Sequence, residues 1–319
     1  RFTSNKLPRL WILFYEVSKI PILQNVYNKV MELITQRNIT RVIKKERVEK
    51  VVILHFLLVQ STYKAVARLK NNIKPVTIVT DPFTAHPLWF YNPHIPTIVF
   101  STKVRETATT VYKFPQEKLF QYPIILRDEY NRPFPKTIIE EKKREFGCSP
   151  DKPVFLIAGG GEGLPKAVSI VRQYLLSEID ANLIVVCGKD RQTRDRLRSL
   201  CKRFPGKNVK VYGFVDFMFT LMNIADIIIT KGGPATIMEA LMLQKPLIIT
   251  SYLYGQERGN IDFLTRNRIG YFIEKPSSLI KTLQMFMRHP TMFYMLEKRI
   301  NKLQLQIGTK QISEFILRM

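Results

Sequence analysis

The sequence predicts an α/β protein built from two tandem βα domains, each on a parallel sheet. Three observations carry this. Short, almost wholly apolar runs alternate with helical patterns along the chain, which is the signature of strands buried on both faces. Glycine-bearing turns follow the runs, at Gly159 to Gly163 and at Gly232-Gly233. A proline-rich stretch from Pro123 to Pro135 interrupts the alternation near the middle of 319 residues, a length sufficient for two cores. The expected domains are residues 1–125, a linker at 126–150, and residues 151–319, with the last helix packing back on the first domain.

Residues 1–50 are basic, with 11 Lys or Arg against four Glu. Leu7, Leu10, Trp11, Phe14 and Val17 recur at helical spacing. Such a stripe beside a basic face suits either the headgroup region of an anionic bilayer or the protein's own core. VVILHFLLV (Val51 to Val59) reads as a buried strand and Thr62 to Leu69 as a helix. PVTIVT (Pro75 to Thr80) and TIVF (Thr97 to Phe100) read as further strands. The second series is PVFLIAGGGEG, a helix over Ala167 to Leu176, ANLIVVCG, a basic helix over Arg191 to Arg203, VKVYGF, and a short helix over Met218 to Met222.

Gly232 to Asn260 organises the rest. IADIIIT (Ile224 to Thr230) is a strand, and Lys231-Gly232-Gly233-Pro234 breaks it. Ala235 to Leu243 is a helix, Pro246 stops it, and PLIIT begins the next strand. A glycine turn opening a helix offers unpaired N–H groups and the positive end of the helix dipole, which together hold a phosphate. Glu239 lies about one turn in, where a carboxylate accepts from sugar hydroxyls. Gln256, Glu257 and Asn260 follow the next strand. The residues thus read as a site for a phosphate joined to a polyhydroxyl group, such as a nucleotide sugar. Gly159-Gly160-Gly161-Glu162-Gly163 is either a tight strand-to-helix turn or a second phosphate cradle, since the spacing is not G-x-G-x-x-G. Phe214-Val215, at another strand end, either packs in the core or covers a flat base.

Lys+Arg 50 against Asp+Glu 26 leaves +24. This is either a lysine-rich solvated surface or the mark of an anionic partner. No nucleic-acid recognition motif accompanies the charge, so nucleic acid is not expected. Cys148, Cys187 and Cys201 have no paired spacing and read as free thiols. The longest uncharged run, Pro82 to Thr102, contains four prolines and is not a spanning helix. His, Cys, Asp and Glu show no metal-ligand spacing, and neither a metal nor a cofactor is expected. Asp81 and His86, just past a strand end in the first domain, are the candidate catalytic residues.

VYGFVDFMFTLMNIADIIITKGGPATIMEALMLQKPLIITSYLYGQERGN, with LIAGGGEG and VVCGKD, resembles the C-terminal half of monogalactosyldiacylglycerol synthases and of the bacterial processive diacylglycerol glucosyltransferases. VTDPFTAHPLWF is similar to that family's TD-x-x-x-H-x-x-W segment, and the likeness covers roughly residues 50–275. More distantly, the second half resembles a peptidoglycan N-acetylglucosaminyltransferase acting on a lipid-linked precursor. The resemblance implies a GT-B fold, two Rossmann-like domains facing a central crevice, and a UDP-sugar as donor substrate, UDP-galactose or UDP-glucose. It assigns Gly160 and Gly161 to the diphosphate or sugar, Phe214 and Val215 to uracil, and Gly233, Pro234, Ala235 and Thr236 to phosphate. Glu239 takes the ribose, Gln256 and Glu257 the sugar, and Asn260 supports their loop. It implies hexosyl transfer to diacylglycerol by a peripheral protein on the cytoplasmic face of a membrane rich in anionic lipids. A lipid-linked peptidoglycan precursor as acceptor, and an inactive UDP-sugar-binding remnant, are the alternatives. One departure stands out: the family's opening strand and its glycine-rich loop ending in His have no counterpart before residue 50, so either the N-terminal domain is expected to lack its first βα unit or the chain to be a fragment.

Overall fold

The computed structural model describes residues 8–69 and 72–319. The chain divides into two compact units. One comprises residues 1–125, 253–259 and 307–319; the other comprises 126–252 and 260–306.

The first unit holds a four-stranded parallel sheet of β1 (Lys50–Ile53), β2 (Lys74–Ile78), β3 (Thr97–Val99) and β4 (Leu119–Gln121), in that order. β1 is shorter than the run Val51 to Val59 predicts. His55 ends it by accepting the Leu57 N–H on Nδ1, which starts a 3-10 turn at Phe56–Leu58 and then the helix Val59–Leu69. A side chain that bonds the backbone two residues on diverts an apolar run from sheet to turn. β4 follows a helix, Thr102–Thr110, capped by the Ser101 hydroxyl. The closing helix Thr309–Arg318 lays Ile312 and Phe315 on Val76, Ile78, Ile98 and Phe120 of this unit's sheet.

Helices Pro8–Val17 and Pro21–Glu46 precede β1. The second is inverted: it buries Asn28, Gln36 and Ile43 and exposes Ile22, Leu33, Ile34 and Val42. Its inward contacts with helix Val59–Leu69 mix polar pairs, Lys64 donating to Glu32 and Arg68 to Gln36, with an apolar patch of Ile39 and Ile43 on Val66 and Leu69. Leu10, Leu13 and Val17 of the first helix are exposed as well. Leu7 lies outside the described residues, as do the side chains of Trp11 and Phe14.

The second unit holds a six-stranded, wholly parallel sheet. Its strands are β5 (Val154–Ala158), β6 (Asn182–Val186), β7 (Val209–Tyr212), β8 (Ile227–Lys231), β9 (Leu247–Ser251) and β10 (Gly270–Phe272). Their order is β10-β9-β8-β5-β6-β7. The chain winds outward from β5 to β7, then returns to place β8 on the other side of β5. That reversal is a topological switch point, where ligands of open α/β sheets bind at the C-terminal strand ends. It sets the glycine turns that follow β5 and β8 on adjacent strands. Residues 126–150, expected as a linker, are instead folded into this unit through a 3-10 turn (Asp128–Asn131) and a helix (Lys136–Glu145). The prolines conceal the anchors: Tyr130 is fully buried, and both Tyr130 and Phe134 meet Phe219 edge-on. Burying one such ring stabilises by roughly 1.5–3 kcal/mol.

Candidate functional site

The helix Pro234–Met242 begins directly after β8. Gly233 is its N-cap, Pro234 stands in the first turn, and no side chain caps it. The first N–H groups of a helix have no partner within it, so those of Ala235 and Thr236 point along the positive end of the dipole. Proline at this position costs nothing, because its missing N–H would be unpaired anyway. The turn itself is pinned. Gly232 N–H donates to the Ser251 carbonyl at 2.7 Å, and buried Asn260 donates its Nδ2 to the Gly232 carbonyl at 2.7 Å. Asn260 is therefore a support for the turn rather than a group that faces a ligand.

On the neighbouring strand, Gly160 and Gly161 form an exposed turn after β5. The turn after β6 holds it from below. Lys189 N–H donates to the Gly161 carbonyl at 2.8 Å, and Gly188, at φ +59, packs so tightly that a Cβ there would stand 2.5 Å from that oxygen. Nothing lies within 4 Å of where a Gly161 Cβ would be. The nearest atom to that position on Gly160 is Cε of Lys231, at 4.0 Å. Lys231 thus brings a cation beside the two glycine turns. The sequence reading used it only as a strand breaker, although a Lys adjoining a Gly-Gly turn is itself a signal.

Glu239 lies further along the same helix and is partly buried. Burial lifts its carboxyl from 4.5 to about 7, against the pull of the Arg127 guanidinium and a hydrogen bond from Tyr130. Arg127 in turn donates to the Tyr130 hydroxyl at 3.3 Å. Arg127 and Tyr130 come from the stretch read as a linker, so the sequence reading missed them as partners of Glu239. Phe214, just past β7, leaves its ring 68% exposed, with Val215 partly buried after it. An aromatic ring kept out of the core at a strand end is available to stack on a flat base.

The remaining expected residues belong to the first unit. Asp81, 4% exposed, accepts from Trp89 Nε1 at 3.1 Å on Oδ2 and from Gln256 Nε2 at 2.9 Å on Oδ1. Burial raises its carboxyl from 3.8 to about 6, partly offset by those two bonds. Glu257 accepts the Leu253 N–H at 2.6 Å and so closes the Gln256 loop on itself. Gly255, at φ +78, lies so close to the Tyr15 ring that a Cβ would stand 2.2 Å from it.

His86 corrects the expectation of a base. Its ring is 1% exposed, Nδ1 accepts the Leu88 N–H at 3.2 Å, and Nε2 faces the Ser18 hydroxyl at 3.1 Å. The ring also stacks on Phe56 and meets Tyr15 edge-on. Burial lowers its pKa to about 4, so it stays neutral, and it offers no free nitrogen to a substrate. Its role is to start the 3-10 turn Pro87–Phe90 and hold the first helix.

Residues 154–310 match the glycosyltransferase family 28 C-terminal domain. The chloroplastic monogalactosyldiacylglycerol synthase 1 of Arabidopsis thaliana is 29% identical over 298 residues, covering 87% of this chain and 54% of that protein. The chain spans about half the length of the curated relatives it matches. Two solved structures share the fold. One is MurG of Acinetobacter baumannii, with TM-score 0.64 and 16% identity over 90% of this chain and 78% of that one. The other is an Anabaena protein in complex with UDP, with TM-score 0.61 and 14% identity over 88% of this chain and 82% of that one.

Proposed function

The chain belongs to the glycosyltransferase family of the monogalactosyldiacylglycerol synthases, and from that premise we propose that it transfers a hexose, galactose or glucose, from UDP to the hydroxyl of diacylglycerol at a membrane surface. The observation that carries the reading is the uncapped helix start at Gly233, set beside the Gly160-Gly161 turn and Lys231. The acceptor oxygen forms a bond to the anomeric carbon as the bond from that carbon to the UDP oxygen breaks, and the acceptor proton leaves to a base. Charge then develops on the departing diphosphate. The Ala235 and Thr236 N–H groups, the helix dipole and the Lys231 ammonium stabilise that charge in place. Glu239 takes the ribose hydroxyls. Phe214 covers the uracil, with Val215 beside it, and Gln256 and Glu257 take the hydroxyls of the hexose.

The membrane part of the reading rests on the two leading helices. An inverted helix exposing Ile22, Leu33 and Ile34 among Lys29, Arg37, Arg41, Lys44 and Lys45 fits an interface with anionic lipid. Each cation near such a surface contributes about 1 kcal/mol. No helix among the described residues is long and apolar enough to cross a membrane.

The test is to incubate the protein with radiolabelled UDP-galactose or UDP-glucose and vesicles of diacylglycerol in anionic phospholipid. Labelled glycolipid, formed with one donor in preference to the other, is expected. UDP binding without product from a chain of the relatives' full length refutes the transferase reading.

A further inference from the structure

We propose that Asp81 is a positioning residue that fixes the Gln256 side-chain amide with its oxygen turned outward, so that this loop reads the hexose by accepting a hydrogen bond from one of its hydroxyls. The inference rests on the preceding reading in one respect, that Gln256 meets the sugar.

The orientation follows from donor and acceptor capacity alone. An indole nitrogen can only donate, and Trp89 gives its single N–H to Oδ2 of Asp81. A carboxylate can only accept, so the atom that meets Oδ1 at 2.9 Å is the Gln256 nitrogen, not its oxygen. The amide oxygen therefore faces away from Asp81. The backbone beneath has little freedom to undo this. Gly255 is pressed against Tyr15 in a left-handed conformation, and the Glu257 carboxylate ties the loop to Leu253 N–H. Tyr15 packs against the His86 ring, and Ser18 Oγ bonds both His86 and the Tyr15 carbonyl. The buried histidine thus holds the floor on which the amide rests.

The geometry makes a definite claim about substitution. In Asp81→Asn the introduced amide must give its oxygen to the Trp89 N–H, which leaves its NH2 toward Gln256. The Gln256 amide then turns over to accept, and presents NH2 outward where an acceptor stood. Adding Gln256→Glu corrects this. The introduced carboxylate accepts from the new NH2 with one oxygen and offers the other outward, restoring an acceptor.

Isothermal calorimetry with UDP, UDP-galactose and UDP-glucose tests the claim on the wild type, D81N, Q256A and the D81N/Q256E double variant. D81N and Q256A are expected to leave UDP affinity within about twofold. They are expected to weaken the preferred UDP-hexose roughly five- to tenfold, the worth of one neutral hydrogen bond. The double variant is expected to recover most of that loss, which a merely structural defect at Asp81 would not allow. Equal UDP-hexose affinity in D81N and wild type overturns the proposal, and so does a double variant no better than D81N. Where D81N fails to fold, Q256A against wild type decides: an unchanged ratio of UDP-hexose to UDP affinity overturns it. If the wild type binds neither UDP nor UDP-hexose, the donor reading falls and this inference falls with it.

Discussion

Each unit carries a buried or partly buried carboxylate whose pKa burial raises, Asp81 in one and Glu239 in the other, and the two are held in opposite ways. Asp81, three residues past β2, accepts one neutral donor on each oxygen, from Trp89 and from Gln256. Glu239, in the helix after β8, is backed by the Arg127 guanidinium through the Tyr130 hydroxyl. Burial lifts both above the ordinary carboxylate range, to about 6 and about 7. Burial behind those two bonds makes Asp81 a device for orienting another side chain. A carboxylate with its charge balanced from behind keeps acceptor capacity for a ligand in front. What a buried acid does is decided by which of its lone pairs the fold leaves over, not by how far its pKa moves.

The comparison breaks most visibly through the clamp under Asp81. Gly255→Val forces a side chain into the left-handed region and into the Tyr15 ring. It should cost on the order of 3 kcal/mol and lower Tm by roughly 5–10 °C, read by thermal unfolding. Next comes the direct contrast. Glu239→Ala should weaken UDP binding about 10- to 100-fold, the worth of hydrogen bonds to a charged group, whereas Asp81→Ala should leave UDP binding within about twofold. Equal losses in calorimetry would erase the distinction.

Protonation gives a third, smaller test. The Glu239 pKa in the fold lies above its unfolded value of 4.5, so ionisation opposes folding. Stability should therefore fall as pH rises from 4.5 through about 7, and Glu239→Gln should remove that decline in urea titrations. Ligand binding should move the other way. UDP affinity should drop by up to about tenfold per pH unit below 7 in the wild type and stay flat in Glu239→Gln. The smallest effect is expected at Phe214→Ala. That ring is already mostly solvent-exposed, so Tm should hardly change, while UDP affinity should fall by about 1 kcal/mol.

Much of the second unit was legible because a strand buried on both faces must be apolar at every position. Val154–Ala158 could be read directly, whereas the strand expected at Ile224 to Thr230 begins later and takes in Lys231, at Ile227–Lys231, because Ile224 closes the preceding helix. The first unit was less legible. The run from Val51 to Val59 looks like one strand, and only the His55 side chain, bonding locally, turns it. The Asp81–Gln256 contact joins residues 175 apart in sequence, and no local pattern encodes it. Arg127 and Tyr130 were hidden by flanking prolines, which mark turns whether or not the turn is packed. The second helix, Pro21–Glu46, was not read at all, because its apolar residues are spread almost evenly around it and leave no stripe to mark it.

That helix has a practical corollary. On the proposed membrane reading, its exposed Ile22, Leu33 and Ile34 would carry surfactant with the protein in solution. Yield, monodispersity and any hexosyl transfer by this protein should then track micelle or vesicle concentration together.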